Sequence, residues 1–177
     1  LIAAERGAKV VAAPVQDDGS VEWDGWLSCL NERTRFIAAV HVSNTLGTVN
    51  PVQDIIHQAK ARGIPVLVDG AQAVAHVPVD FAALGADFYT LSAHKLYGPT
   101  GFGCLLGRRE RLSEMPPWHG GGDMIRSVSF EGSTWAEPPY RFEAGTPDMA
   151  GAIGLAAALD YVETIGLPQI AAHEHAL

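Results

Sequence analysis

Short apolar runs alternate with amphipathic stretches along most of the chain. The runs Lys9–Val15, Phe36–Val42, Pro65–Val68, Phe88–Ser92 and Phe102–Leu106 have strand length and are bounded by Gly, Pro, Asn or Asp. Between them the spacing predicts helices over Trp23–Asn31, Pro51–Arg62, Phe81–Leu84 and Arg109–Glu114. Pro51 suits a first helical turn, where its missing N–H has no intrahelical partner to lose, and Gly63 suits a C-terminal cap. Phe36–Val42 and Pro65–Val68 are almost continuously apolar, as strands covered on both faces are. The order β-α-β-α-β predicts an α/β fold, a mostly parallel sheet flanked by helices.

The character changes after Met115. Pro116-Pro117-Trp118-His119-Gly120-Gly121-Gly122 has loop composition, and so does Glu131 to Pro147. A stretch this long without periodicity inside a domain points to a functional or interface loop. A small-residue-rich helix is predicted over Ala150–Ile165, closed by Gly166. At the start, Leu1 to Lys9 reads as the last turn of a helix closed by Gly7. At the other end the chain stops at Leu177, inside a helical-looking stretch. Residues 1–177 are therefore expected to be one partial domain of a longer protein.

Composition narrows the class. Hydrophobic residues make up 47% and charged residues 18%, which is globular usage. Twelve Lys+Arg against twenty Asp+Glu give a net charge of −8, which disfavours a partner that is held by its phosphate backbone, so no nucleic acid is expected. No apolar run is long enough to predict a membrane span. The two cysteines, Cys29 and Cys104, do not make a disulfide framework and fit a reducing compartment, so a cytoplasmic location is expected.

In open parallel sheets ligands bind beyond the carboxyl ends of the strands. Three predicted strands end in polar residues: one in Ser43-Asn44, one in Asp69-Gly70-Ala71-Gln72, one in Ser92-Ala93-His94-Lys95. Asp69 follows Val-Leu-Val, where an ionised carboxylate is costly without a cationic partner, although a turn or helix-cap Asp fits the same place. Lys95 is either a solvated surface lysine or, shielded in an apolar site, a nucleophile toward carbonyls. An Asp and a Lys facing one crevice suit pyridoxal 5'-phosphate, which needs a Schiff-base Lys and a carboxylate on its pyridinium nitrogen. His173-Glu174-His175 gives no metal site, because alternate residues on a helix diverge. No metal is expected.

Four segments carry a resemblance: Val68-Asp-Gly-Ala-Gln-Ala-Val, Ser92-Ala-His-Lys-Leu-Tyr-Gly-Pro-Thr-Gly, Met115-Pro-Pro-Trp-His-Gly-Gly-Gly and Arg141-Phe-Glu-Ala-Gly-Thr-Pro. In that order they resemble the class V aminotransferase-fold enzymes, most of all the SufS-type cysteine desulfurases and selenocysteine lyases. The resemblance runs from about Gly7 to Gly166. It implies the large domain of a fold type I pyridoxal-phosphate enzyme, without its N-terminal segment and C-terminal small domain.

The resemblance also implies roles. Lys95 is the Schiff-base and proton-shuttle lysine, and Asp69 holds the pyridine nitrogen. Gln72 hydrogen-bonds the ring's phenolic oxygen, while Ser92 and His94 contact the phosphate. Asn44 holds the substrate carboxylate or the cofactor edge. Gly145 and Thr146 reach the phosphate of the partner subunit in a homodimer. The implied reaction converts L-cysteine to L-alanine and leaves an enzyme-bound persulfide for iron–sulfur cluster assembly, with a sulfur-acceptor protein as partner.

Cys104 lies in an apolar strand, where a thiol is usually inert. The sulfur-accepting cysteine of the resembled family lies in its C-terminal domain, so the 177 residues alone are expected to be inactive. Selenocysteine lyase, kynureninase-like and epimerase chemistry share the same fold and stay open. So does a folded segment without catalysis.

Overall fold

The computed structural model describes residues 2–177. Its main sheet has four strands in the order β1 (Ile37–Val40), β2 (Val66–Asp69), β3 (Phe88–Ser92) and β4 (Gly103–Gly107). β1, β2 and β3 run parallel, and β4 returns antiparallel to β3. Before the sheet come α1 (Ile2–Glu5) and α2 (Trp23–Cys29). α3 (Val52–Lys60) and α4 (Phe81–Leu84) connect the parallel strands, and α5 (Arg109–Glu114) follows β4. A separate hairpin, β5 (Ile125–Val128) and β6 (Ser133–Trp135), precedes α6 (Met149–Ile165) and α7 (Leu167–Ala176). α6 and α7 meet at 70° across Gly166, and among the described residues no single helix is long and apolar enough to cross a membrane.

Two buried clusters hold these elements. In the first, Val52, Ile55, Ile56 and Ala59 bury one stripe of α3 against Ile37, Val66, Val68 and Trp26. Burying each such aliphatic side chain stabilises the fold by ~1.5–3 kcal/mol. The second joins Leu155 and Val162 of α6 to Ala75, Ala93 and Leu96. On α6, Gly151, Leu155, Ala158 and Val162 are the buried face. Gly154 lies where a Cβ would press on the Pro99 ring at 3.1 Å, which accounts for a small residue at that contact.

Several expected elements differ. Lys9–Val15 is not a strand: it makes only an isolated bridge from Val15 to Val21, and Val10, Val11 and Val15 are exposed. A strand exists through its ladder partners, and among the described residues no strand lies beside this run. β1 is shorter than its apolar run because Val42 turns away to bridge Val49. β1 also leaves Ala38 and Val40 exposed, so of these two runs β2 alone approaches burial on both faces. The region after Met115 contains the β5–β6 hairpin, whose residues are nearly all exposed and therefore carry no apolar signature. Asp148 caps α6, its carboxylate accepting from the Gly151 N–H at 2.8 Å.

Candidate active site

Because β1, β2 and β3 are parallel, their carboxyl ends share one edge. Val40, Asp69 and Thr90 stand side by side in the register, and the Gly70 N–H donates to the Thr90 carbonyl at 2.9 Å. Asp69 and Ser92 are half-buried at this edge. Directly after Ser92, residues Ala93–Leu96 form a single 3-10 turn that carries Lys95. Ala93 and Leu96 are buried in the α6 cluster, so the turn is clamped from below while His94 is exposed and Lys95 half-buried above. Tyr97 closes the turn at φ +60 and packs edge-on against Tyr161 of α6, ring centroids 6.3 Å apart.

Asp69 Oδ1 accepts from the Ala71 N–H at 2.9 Å, so the turn-Asp reading is correct for one oxygen. Among the described residues no hydrogen bond involves Oδ2, and no buried side-chain polar atom lacks a partner, so Oδ2 faces an accessible space. Ser92 Oγ, the His94 ring and Lys95 Nζ likewise make no side-chain hydrogen bond or ion pair among the described residues. The site is thus one acceptor oxygen, an amine, a hydroxyl and an imidazole, all uncommitted, at adjacent strand ends. That donor set fits a ring nitrogen to be protonated, an aldehyde to be held and a phosphate to be bound.

Gln72 begins the 3-10 turn Ala73–Ala75 without capping it. Its Nε2 lies 2.9 Å from His76 Nε2 instead, and His76 Nδ1 lies 2.9 Å from both carboxylate oxygens of Glu174 on α7. Beneath Asp69, Tyr89 is fully buried and its hydroxyl sits 3.0 Å from His41 Nδ1. Burial, then the Asp69 charge, pushes the Tyr89 phenol up to about 12. Burial pushes the His41 imidazole below its ordinary value. The sequence alone does not single out His41, Tyr89 or His76, and it raises Glu174 only within the triplet His173-Glu174-His175 that gives no metal site. Gln72 and His76 stand at helical i,i+4 spacing, which is the one signal that pointed to their contact.

Three expected site residues lie further out. Asn44 is exposed on the turn Ser43–Thr48, whose Ser43 hydroxyl accepts from the N–H groups of Thr45 and Leu46. Gly145 and Thr146 lie on the loop before α6, away from the strand-end cluster in the chain. There the Gly145 N–H donates to the Gly122 carbonyl at 3.0 Å, joining the Gly-rich loop to the Ala-Gly-Thr-Pro motif. Arg141 staples that loop down: its Nη1 donates to the carbonyls of Ser113 and Met115, and its Nε to that of Ala136. Arg111 reaches the buried Asp87 at 2.8 Å.

Cys104 is a poor nucleophile where it sits. Burial, and then the Glu143 charge, raises its thiol above the ordinary value. Two clefts of about 490 and 500 Å3 lie elsewhere and contain neither Asp69 nor Lys95. The first, around Leu30, Arg35 and Ile64, is at the amino ends of β1 and β2.

A lysine turn and a strand-end aspartate on a mostly parallel sheet define a large domain of the aminotransferase type. The chain belongs to the aminotransferase class-V family, whose pattern it matches over residues 1–177. It is 55% identical to a cysteine desulfurase of Dickeya dadantii (strain 3937), across 98% of this chain and 42% of the relative. Its backbone superposes on the cysteine desulfurase CsdA of Escherichia coli with a TM-score of 0.91 and 42% identity, over 95% of this chain and 42% of that one. The apo cysteine desulfurase of Thermococcus onnurineus NA1 gives a TM-score of 0.91 at 39% identity, covering 98% of this chain and 44% of that one. The chain thus spans less than half the length of the relatives it matches.

Proposed function

We propose that this chain is the cofactor-binding part of a pyridoxal-phosphate-dependent cysteine desulfurase. The observation that carries the reading is the pairing of Asp69, with its free Oδ2, and the Lys95 turn on adjacent parallel strands. It is supported by the cysteine desulfurases that match nearly the whole chain. Bound at this edge, pyridoxal phosphate supplies an electron sink for loss of an amino acid's α proton.

The chain's own groups divide that work. Asp69 Oδ2 keeps the proton on the ring nitrogen, without which the sink is weak. Lys95 Nζ would hold the cofactor through its aldehyde and would take the α proton of the bound amino acid. Ser92 Oγ and the His94 ring hold phosphate oxygens, and a Gln72 N–H donates to the ring's phenolic oxygen. Asn44 faces the substrate carboxylate or the cofactor edge. Gly145 and Thr146 serve the phosphate of a second subunit in a homodimer, which gives the Arg141-stapled loop its purpose.

Cleavage of the substrate C–S bond leaves L-alanine and moves the sulfur onto an enzyme thiol as a persulfide. Cys104, with its raised thiol on β4, does not suit that task, and the thiol is assigned outside these residues. A soluble sulfur acceptor and iron–sulfur cluster assembly are the downstream roles this chemistry serves.

The test is product formation by the full-length protein that carries this chain. Incubated with L-cysteine, it should release L-alanine and persulfide sulfur in equal amounts, and Lys95→Ala should abolish both. Alanine release that persists in Lys95→Ala would overturn the assignment.

A further inference from the structure

We propose that His76 and Glu174 are positioning residues that fix the carboxamide of Gln72 as a hydrogen-bond donor toward the cofactor ring. The inference rests on the pyridoxal reading of the site.

The Glu174 carboxylate only accepts, and His76 Nδ1 lies 2.9 Å from both of its oxygens, so Nδ1 carries the proton. In the neutral imidazole the lone pair is then on Nε2. The Gln72 group 2.9 Å from that lone pair must be its NH2, not its carbonyl, and Nε2 is the atom found there. One N–H is spent on His76, which leaves the second N–H of the same nitrogen as a donor in a fixed direction. Without the relay, a glutamine amide turns over at little cost and presents donor or acceptor with similar ease.

The tautomer is the informative part. Two acceptors in series, Glu174 and then His76 Nε2, leave Gln72 no choice of orientation. Glu174 lies on α7, 98 residues along the chain from His76, so the last helix is tied by this contact to the turn after Asp69. The His76 and Glu174 side chains are 33% and 38% exposed, so their contact adds little to stability. That low stabilising value is what makes a positioning role separable from a docking one.

The experiment has two readouts in the full-length protein loaded with pyridoxal 5'-phosphate. In 15N-histidine-labelled protein, NMR should show His76 as the Nδ1–H tautomer, and Glu174→Ala should shift it toward Nε2–H. The same variant should change the ratio of the cofactor's long- to short-wavelength absorption bands. Cofactor release should become roughly three- to tenfold faster, the loss of about one hydrogen bond. Glu174→Asp, which retains a carboxylate, should restore both partly. A helix-docking role alone would lower the melting temperature of Glu174→Ala and leave bands and release rate unchanged, and that result would overturn the relay. An Nε2–H tautomer in the unmodified protein would overturn it as well. Absence of Lys95-dependent absorbance in the unmodified protein is the distinct failure that sinks the pyridoxal reading and the relay together.

Discussion

The Tyr89 hydroxyl and His41 Nδ1 share a hydrogen bond of 3.0 Å, with the imidazole standing edge-on to the phenol ring. Tyr89 has no exposed surface, and its ring fills the space that a Cβ on Gly70, next to Asp69, would take. Both members of the polar pair are neutral at ordinary pH.

That neutrality sets a pH window. The unfolded phenol loses its proton near 10.0 and the folded one at about 12, so between these values the unfolded state binds fewer protons and stability falls as pH rises. His41 works in the opposite direction. Its folded value is below 6.5, so the unfolded state binds more protons at low pH and stability falls as pH drops below that value. Urea unfolding across pH should show both limbs, and Tyr89→Phe should remove the alkaline one. An alkaline limb of equal size in Tyr89→Phe would refute the assignment.

Gly70 is held by packing rather than by a turn. A Cβ there would overlap the Tyr89 ring, which is fully buried and has nowhere to go. Gly70→Ala should cost about 1–3 kcal/mol of stability. It should also displace Asp69 and weaken cofactor retention. Denaturant midpoints and cofactor dialysis read the two effects separately.

Much of the frame was legible in the pattern of apolar residues. β2, β3, α4 and α5 follow directly from run length and spacing, because each buries a continuous stripe or is bounded by turn residues. Lys9–Val15 has the same composition yet forms no ladder, since strand formation depends on neighbours that composition does not report. The β5–β6 hairpin was invisible for the opposite reason: Ile125-Arg-Ser-Val is exposed and mixed in polarity. Within the site, Asp69, Ser92 and Lys95 were readable from their place after apolar runs. The contact of Gln72 with His76 has only its i,i+4 spacing as a local signal, and that of His76 with Glu174, 98 residues further on, arises from tertiary packing and has none.

Arg111 and Asp87 make the structural ion pair of the sheet. Asp87 is buried, its Oδ2 accepts from the Val66 N–H at 2.9 Å, and Arg111 Nε donates to its Oδ1 at 2.8 Å. Arg111→Ala leaves a buried carboxylate with one partner. Because Arg111 is itself partly exposed, the loss should be about 1–2 kcal/mol, less than for a fully buried pair. Asp87→Ala should cost more, since the Val66 N–H also loses its acceptor. Equal losses in the two variants would contradict this account.

Cys104 should behave as a packing residue. Its raised thiol should react with iodoacetamide more slowly than an unstructured cysteine at the same pH, and denaturation should abolish the difference. Cys104→Ala in the full-length protein should keep alanine formation from L-cysteine, whereas its loss in that variant would return Cys104 to the reaction.

The central claim is that Lys95 holds the cofactor, and borohydride reduction of the pyridoxal-loaded full-length protein tests it most directly. Peptide mapping should find a pyridoxyl group on Lys95 and on no other lysine. An adduct on Lys9 or Lys60 in its place, with Lys95 unmodified, would contradict the site described above.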